Sequence, residues 1–130
     1  MVQILVPVSW GELIDKITIL EIKEQRLTAP AQLLNVRREL DGLMAVCTRH
    51  ASAQTDWSPL ADALRAINEQ LWDMEDAIRE YERNADFGTR FIQVARAIYR
   101  TNDQRAALKR QLSQSFGSEF LEEKSYQASP

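Results

Sequence analysis

The stretch that governs the fold is "SWGELIDKITILEIKEQRL", residues 9–27, because it carries several agreeing signals for the start of a helix. Ser9 can cap the free backbone N–H groups, and Glu12, three residues later, completes the spacing of a capping box. Val8 and Leu13 occupy the two positions of a hydrophobic staple. The sequence therefore predicts a helix that begins at Ser9.

Apolar residues recur along this stretch at alternating spacings of three and four, which is typical of one helical face. The stripe consists of Trp10, Leu13, Ile17, Leu20, Glu24 and Leu27, and Glu24 is its charged position. The residue before a proline disfavours helical backbone. We therefore expect the helix to end near Thr28, before Pro30.

Three further helical stripes follow. The second helix starts around Pro30 and fades in "RHASAQTD", residues 49–56. The third starts at Ser58, read as a cap that is followed by proline in the first turn. The fourth runs from about Thr89 to Phe116 and ends at Gly117, a residue type common after helix ends.

The short links between the first two helices and between the last two predict two antiparallel hairpins. The expected fold is all-α, with about four helices in a bundle or coiled-coil-like arrangement. Residues 1–130 are expected to form a single helical domain, with residues 117–130 as a partly disordered tail.

Along residues 2–8, one set of side chains alternates with another, which is the period-two pattern of a β-strand. This pattern predicts a short β-strand or arm. The helical remainder offers this strand no clear partner. We expect it to pair with its copy in a second chain across a two-fold axis. The candidate interface residues are Val2, Ile4, Val6 and Trp10. Two alternatives remain open. The strand pairs with the tail segment "EKSYQ", or residues 2–8 form an arm without a β-ladder.

Composition and net charge disfavour some classes of function and some cellular locations. A net charge of −3 disfavours a nucleic-acid partner, because nucleic-acid binders usually present a basic surface. The chain has one cysteine, Cys47, so no internal disulfide forms and a reducing compartment fits best. The first ten residues lack Lys and Arg, and no apolar run is long enough to span a membrane. We expect a cytoplasmic protein without a membrane partner.

Two charged residues lie within the apolar stripes, Glu24 on the first helix and Arg105 on the fourth. Buried charges are costly unless they are paired, so each marks a structural ion pair, a stripe end that reaches solvent, or an inward-facing polar site. In an up-down bundle Arg105 would lie about 25 Å along the fourth helix, level with residues 9–12 rather than with Glu24. Its expected partner is Glu12, Glu122 of the tail or an anionic ligand.

Polar residues beside Arg105 interrupt the stripe of the fourth helix, so this region is the best place for a binding site or a register-setting network. The candidate ligand-binding residues are Arg105, Asn102, Thr101, Glu12 and Glu24.

Two enzymatic alternatives use the same helices. Carboxylates three residues apart, in Glu21/Glu24 and Asp73/Asp76, share a helix face, as in the all-α nucleotide pyrophosphohydrolases that hold Mg²⁺. Asp73 and Asp76, however, fall on the face opposite the apolar stripe. The first helix and the pair Arg38–Glu39 superficially resemble the chorismate mutases, which bind a dicarboxylate with Arg and Lys inside a helical bundle.

Cys47 and His50 have the spacing C-x-x-H, but the chain has no second cysteine or histidine. Because structural zinc uses four nitrogen or sulfur ligands, we interpret Cys47 as a core residue and His50 as a loop residue. No metal and no cofactor are expected.

Five segments together resemble a family of small bacterial proteins that is known only as a domain of unknown function. They are "PVSWGELIDKITILEIK", "NVRRELDGL", "LWDMEDAIREYE", "ARAIYRTNDQRAALKR" and "EEKSY", and they span nearly the whole chain. The resemblance implies a bacterial origin and a stand-alone domain, and it supplies no activity and no site residues.

The third helix is long and its apolar residues, from Leu60 to Tyr81, follow a heptad pattern. This pattern and the strand without a partner favour a non-enzymatic helical protein that self-associates as a homodimer and that has a further protein partner. The alternative is a small-molecule-binding or enzymatic bundle with an anionic ligand near Arg105.

Overall fold

A computed structural model describes residues 2–50 and 56–117, and four helices lie within them. The helices are α1 (Trp10–Arg26), α2 (Pro30–His50), α3 (Ser58–Arg83) and α4 (Thr89–Ser115). The expected all-α fold is confirmed, and the helix bounds lie within two residues of the predicted ones. Gly117 follows α4 with a φ of 64°, as expected after a helix end. The rest of the predicted tail lies outside the described residues.

The start of α1 follows the sequence signals in part. The Ser9 hydroxyl accepts a hydrogen bond from the Glu12 N–H at 3.2 Å, which confirms the predicted cap. The Glu12 carboxylate pairs with Lys109 on α4 at 2.8 Å instead of returning to the Ser9 backbone. A contact to another helix thus replaces half of the predicted capping box.

The predicted cap of α3 is wrong by one residue. Ser58 is the first residue of the helix, and Trp57 is the N-cap without a side-chain hydrogen bond. The Ser58 N–H instead donates to the Asp56 carboxylate at 3.1 Å. Aspartate is as good an acceptor for a free helix N–H as serine, so the helix start is still satisfied.

The predicted β-strand at residues 2–8 is wrong for the described chain, which contains no strand there or elsewhere in residues 2–50 and 56–117. A β-ladder needs a neighbour with unpaired backbone N–H and C=O groups. The helices around residues 2–8 bond these groups internally, so they offer the segment no edge. Residues 2–8 therefore form an exposed apolar arm.

The centre of the bundle is α1, which packs against α2, α3 and α4, whereas α2 packs only against α1 within the described residues. A helix covered on several sides buries more than one stripe of residues. The buried residues of α1 are Gly11, Leu13, Ile14, Asp15, Ile17, Thr18, Leu20 and Ile22. Two polar side chains, Asp15 and Thr18, are therefore placed inside.

The hairpin of α3 and α4 extends past the end of α1. These helices have 26 and 27 residues and are about 40 Å long, while α1 has 17 residues and is about 25 Å long. At the tip, the Asp86 N–H donates to the Tyr81 carbonyl at 2.9 Å. No residue between Trp72 and Thr101 is buried. We call residues 73–100 the distal hairpin.

Cys47 lies in the hydrophobic core, and burial raises the pKa of its thiol. Only the thiolate reacts readily with alkylating agents. We expect iodoacetamide at pH 8 to modify the native protein at least about 100-fold more slowly than the urea-unfolded chain, as measured by mass spectrometry. Equal rates in the two states would contradict the core position of Cys47.

Candidate functional site

The most buried charge of the described chain is the carboxylate of Asp15, whose side chain is 5% exposed. Arg105 of α4 donates to both of its oxygens, from Nε to Oδ1 at 2.9 Å and from Nη2 to Oδ2 at 2.6 Å. This planar two-bond geometry is the strongest form of an arginine–carboxylate pair. The Arg105 side chain is 29% exposed, so the pair lies at the edge of the core.

Two further side chains complete a polar network around Asp15. The Asn68 amide of α3 donates to Asp15 Oδ1 at 3.0 Å and to Thr18 Oγ1 at 2.9 Å. The Thr18 hydroxyl donates to the Asp15 carbonyl at 2.7 Å. Because both acceptors are taken by the amide nitrogen, the network itself fixes the orientation of Asn68. The network thus joins α1, α3 and α4 at one level of the bundle.

The contacts between α1 and α4 show that these helices run antiparallel. Going up α1, Gly11, Glu12 and Asp15 meet residues in descending order on α4. The partners are Ser113, Lys109 and Arg105. The Gly11 N–H donates to the Ser113 hydroxyl at 2.9 Å, and a Cβ atom at Gly11 would lie 2.2 Å from the Lys109 carbonyl oxygen. The two backbones therefore approach too closely for any other residue at position 11.

An open groove of about 320 Å³ lies beside this network, at the end of α1. Its lining is mostly apolar, from Ile19, Ile22, Leu71 and Trp72, with Asn68, Glu75, Asp76 and Arg105 as polar members. Arg26 lies over the Trp72 ring, 5.7 Å from its centroid. The hydrogen bond from Arg26 to Asp73 raises the pKa of that guanidinium.

The structure brings together only some of the candidate ligand-binding residues. Arg105 and Glu12 both lie at the interface between α1 and α4, and each already has an ionic partner. Thr101 is buried, with its hydroxyl 3.9 Å from the Met74 sulfur, and Asn102 is half-buried.

Glu24 lies apart from the other candidates. Its side chain is 41% exposed and is 3.7 Å from Arg37 of α2, so of the interpretations left open for Glu24 the structure supports a paired side chain at a stripe end that reaches solvent. The stripe leaves the core near the end of α1, where a charged side chain reaches solvent at little cost. Ile22, outside the predicted stripe, is buried in its place.

Sequence reasoning missed Asp15 and Asn68. Both lie off the single stripes drawn for α1 and α3, and Asp15 becomes buried because three helices surround α1. One signal was present in the sequence. The apolar residues Ile14, Ile19 and Ile22 widen the apolar face of α1 beyond one stripe, as in a central helix.

The candidate interface residues divide into two groups. Val2, Ile4 and Val6 are 93%, 86% and 65% exposed. Trp10 packs internally, stacked on Phe116 with ring centroids 4.1 Å apart. Trp10 therefore helps to close the bundle end at which α1 begins and α4 ends.

The carboxylates proposed to hold Mg²⁺ are partly engaged by arginines. Asp73 is paired with Arg26, and Glu21 lies 3.5 Å from Arg65, so one carboxylate of each acidic pair already faces a guanidinium. Within residues 2–50 and 56–117 no three His, Cys, Asp or Glu side chains are placed to hold a metal ion. Nor is any helix of this part of the chain long and apolar enough to cross a membrane.

A family model described as "Family of unknown function (DUF6165)" matches residues 4–130 of the chain. The match confirms the resemblance to a family of unknown function and covers nearly the whole sequence. No curated protein and no solved structure matches the chain.

Proposed function

The chain belongs to the DUF6165 family, whose function is unknown, and we propose that it is a non-enzymatic helical protein that self-associates as a homodimer. The observation that carries this proposal is the apolar arm at residues 2–8. Its large apolar side chains are more exposed than any other large apolar side chain of the described residues, with Leu5 at 87% and Val8 at 55%. Contiguous exposed apolar surface of this kind marks interaction sites in soluble proteins.

The free energy available from the arm is large enough for a dimer. Burying one Val, Leu or Ile side chain contributes about 1.5–3 kcal/mol. The arm offers five such side chains, namely Val2, Ile4, Leu5, Val6 and Val8. In a two-fold dimer each contact occurs twice, so even partial burial of the arm can offset the entropy lost on association.

The polar network argues for a non-enzymatic protein. The charge of Arg105 is neutralised by Asp15, and the adjacent groove carries the carboxylates of Glu75 and Asp76. These carboxylates would repel an anionic ligand. The ligand would also have to compete with Asp15 for the guanidinium of Arg105. The alternative of an anion-binding bundle near Arg105 is therefore disfavoured by the same geometry that makes the pair a structural one.

Replacing Ile4 and Val6 by aspartate tests the role of the arm. Because both side chains are exposed in the single chain, we expect unchanged helicity by circular dichroism. We expect the dimer dissociation constant to rise about 100-fold or more, as measured by sedimentation velocity, since about 3 kcal/mol of burial is lost.

The matched control is Gln3→Asp, which adds a charge to the arm at an exposed position that is already polar. We expect this variant to dimerise within about threefold of the unmodified chain. An unmodified chain that is monomeric at 100 µM would remove the proposal of self-association.

A further inference from the structure

An open pocket lies where the arm joins the bundle, and the large side chains at the far end of the arm do not enter it. Its volume is about 310 Å³. The walls come from the root of the arm, the start of α1 and the end of α2, through Val8, Ser9, Trp10, Leu13, Val46 and His50. We call it the arm pocket. A cavity of about 150 Å³ can hold a benzene ring in a protein core, so the arm pocket has room for an aliphatic side chain.

The bundle holds the apolar walls of the arm pocket in place. Trp10 is stacked on Phe116, with 4.1 Å between the ring centroids. Leu13 belongs to the hydrophobic core, and Val46 packs against that core. A preformed pocket loses little conformational entropy when it takes up a side chain, so binding there costs less than ordering a loose surface.

The root of the arm is too stiff to turn Ile4 back into the pocket of the same chain. Pro7 holds its own φ at about −65°. The residue before a proline favours extended backbone, which applies to Val6. An extended chain advances about 3.3 Å per residue, so Ile4 lies about 13 Å from Val8. In agreement with this, Ile4 is 86% exposed in the single chain.

We propose that the arm of each chain inserts Ile4 into the arm pocket of a second copy of this chain, in a reciprocal exchange around a two-fold axis. The inference rests on the proposed self-association and names the surface that receives the arm. Exchange of identical segments is a low-cost route to a dimer, because each copy gives and receives the same contact. Since Val8 belongs to both the arm and the pocket, the two copies need to meet only at this end of the bundle.

The two-fold axis fixes how the two arms pass each other. One arm reaches the pocket of the other copy when its Ile4 lies beside the other Val8, and symmetry then places the second Ile4 beside the first Val8. The arms therefore run antiparallel, with the axis at Val6, midway between residues 4 and 8. In this register the two Ile4 residues are at least about 13 Å apart, whereas the two Val6 residues lie side by side.

The composition of the arm suits this arrangement. Residues 2–8 contain no Asp, Glu, Lys or Arg, so two arms lie side by side without repulsion between their side chains. Successive side chains of an extended chain point to opposite sides. Ile4 and Val6 therefore share the side of Val8, which lines the pocket. The side chains that face the bundle of the other copy are thus aliphatic.

Disulfide formation between two full-length variants tests the exchange directly. Ile4→Cys places a thiol on the arm, and His50→Cys places one at the arm pocket. Both positions are exposed, and cysteine packs as a small apolar residue, so we expect unchanged helicity and an arm that still fits. A disulfide needs Cα atoms within about 7 Å of each other. After mixing and oxidation we expect a covalent heterodimer, joined at positions 4 and 50, as the main product in non-reducing mass spectrometry with peptide mapping.

Two controls use the same chemistry. Ile4→Cys alone is expected to give no covalent dimer, because the two copies of this position are at least about 13 Å apart in the exchange register. Gln93→Cys places an exposed thiol on the distal hairpin, far from the arm pocket. Mixed with Ile4→Cys, it is expected to give no covalent heterodimer.

A change in the pocket gives a second measurement that leaves the arm intact. Val46→Asp places a carboxylate on the wall of the arm pocket, and we expect the dimer dissociation constant to rise about tenfold or more in sedimentation velocity. Urea denaturation verifies that the variant is folded. The matched control is Thr48→Asp, an exposed position on α2 outside the pocket, which we expect to stay within about threefold of the unmodified chain.

The outcomes separate the exchange from the self-association on which it rests. A dimeric chain in which positions 4 and 50 form no disulfide would overturn the exchange and leave the self-association standing. The same holds if Ile4→Cys links to itself, since the arms would then pair in another register. An Ile4→Cys/His50→Cys chain that closes a disulfide within one monomer would place the arm in its own pocket and overturn the exchange. A monomeric unmodified chain would overturn both proposals.

Discussion

Replacing Gly11 by alanine is expected to destabilise the fold by about 3 kcal/mol or more. The new Cβ atom would lie 2.2 Å from the Lys109 carbonyl oxygen and 2.8 Å from its carbonyl carbon. These are backbone atoms of α4, so no change of rotamer relieves the clash. The helices α1 and α4 would have to separate, which weakens the Gly11–Ser113 hydrogen bond and the Glu12–Lys109 ion pair. Urea denaturation followed by circular dichroism measures the change.

The same substitution at Gly42 is the matched control, because it is expected to act in the opposite direction. Gly42 lies inside α2, and nothing is within 4 Å of a Cβ atom placed there. Alanine at an open helical position stabilises by about 1 kcal/mol relative to glycine. An equal effect of Gly11→Ala and Gly42→Ala would contradict the close approach of α1 and α4.

Replacing Arg105 by methionine is expected to cost about 3 kcal/mol of stability. The substitution leaves the Asp15 carboxylate, at 5% side-chain exposure, without its cation, and an unpaired buried charge is strongly destabilising. Methionine keeps most of the side-chain volume, so the loss measures the ion pair rather than a cavity. The free energy of unfolding of the variant and of the unmodified chain gives the difference.

Two comparisons isolate the ion pair. Arg79→Met removes a guanidinium from an exposed pair with Glu75 and is expected to cost less than about 0.5 kcal/mol. In Asp15→Asn/Arg105→Met neither charge remains, and the new amide still accepts from Asn68, so most of the lost stability should return. A double variant less stable than Arg105→Met would show that Asp15 is stabilised by groups other than Arg105.

The contacts behind both predictions lie in the same half of the molecule. The close approach at Gly11 and the Asp15–Arg105 pair hold α1 against α4 in the half of the bundle that has a core. The distal hairpin, by contrast, has no buried residue.

The helices and their ends follow from local signals and were predicted from the sequence. A cap at Ser9, proline at position 30 and glycine at position 117 act on backbone groups within one turn, so they place these helix ends even though Lys109 of α4 takes the Glu12 carboxylate out of the predicted capping box. Arg105 was also predicted to lie inward, at a level of α1 within one helical turn of its observed partner.

Only the tertiary structure decided which charges are paired inside and whether residues 2–8 form a strand. Asp15 is buried because α1 is surrounded by three helices, and a single stripe cannot show how many neighbours a helix has. The arm has the alternation of a strand but no β-ladder, since a ladder needs a partner with free backbone groups. The sequence by itself determined where the helices begin and end, because caps, prolines and glycines act locally. Burial and pairing were decided by the three-dimensional arrangement, because they depend on residues distant in the chain.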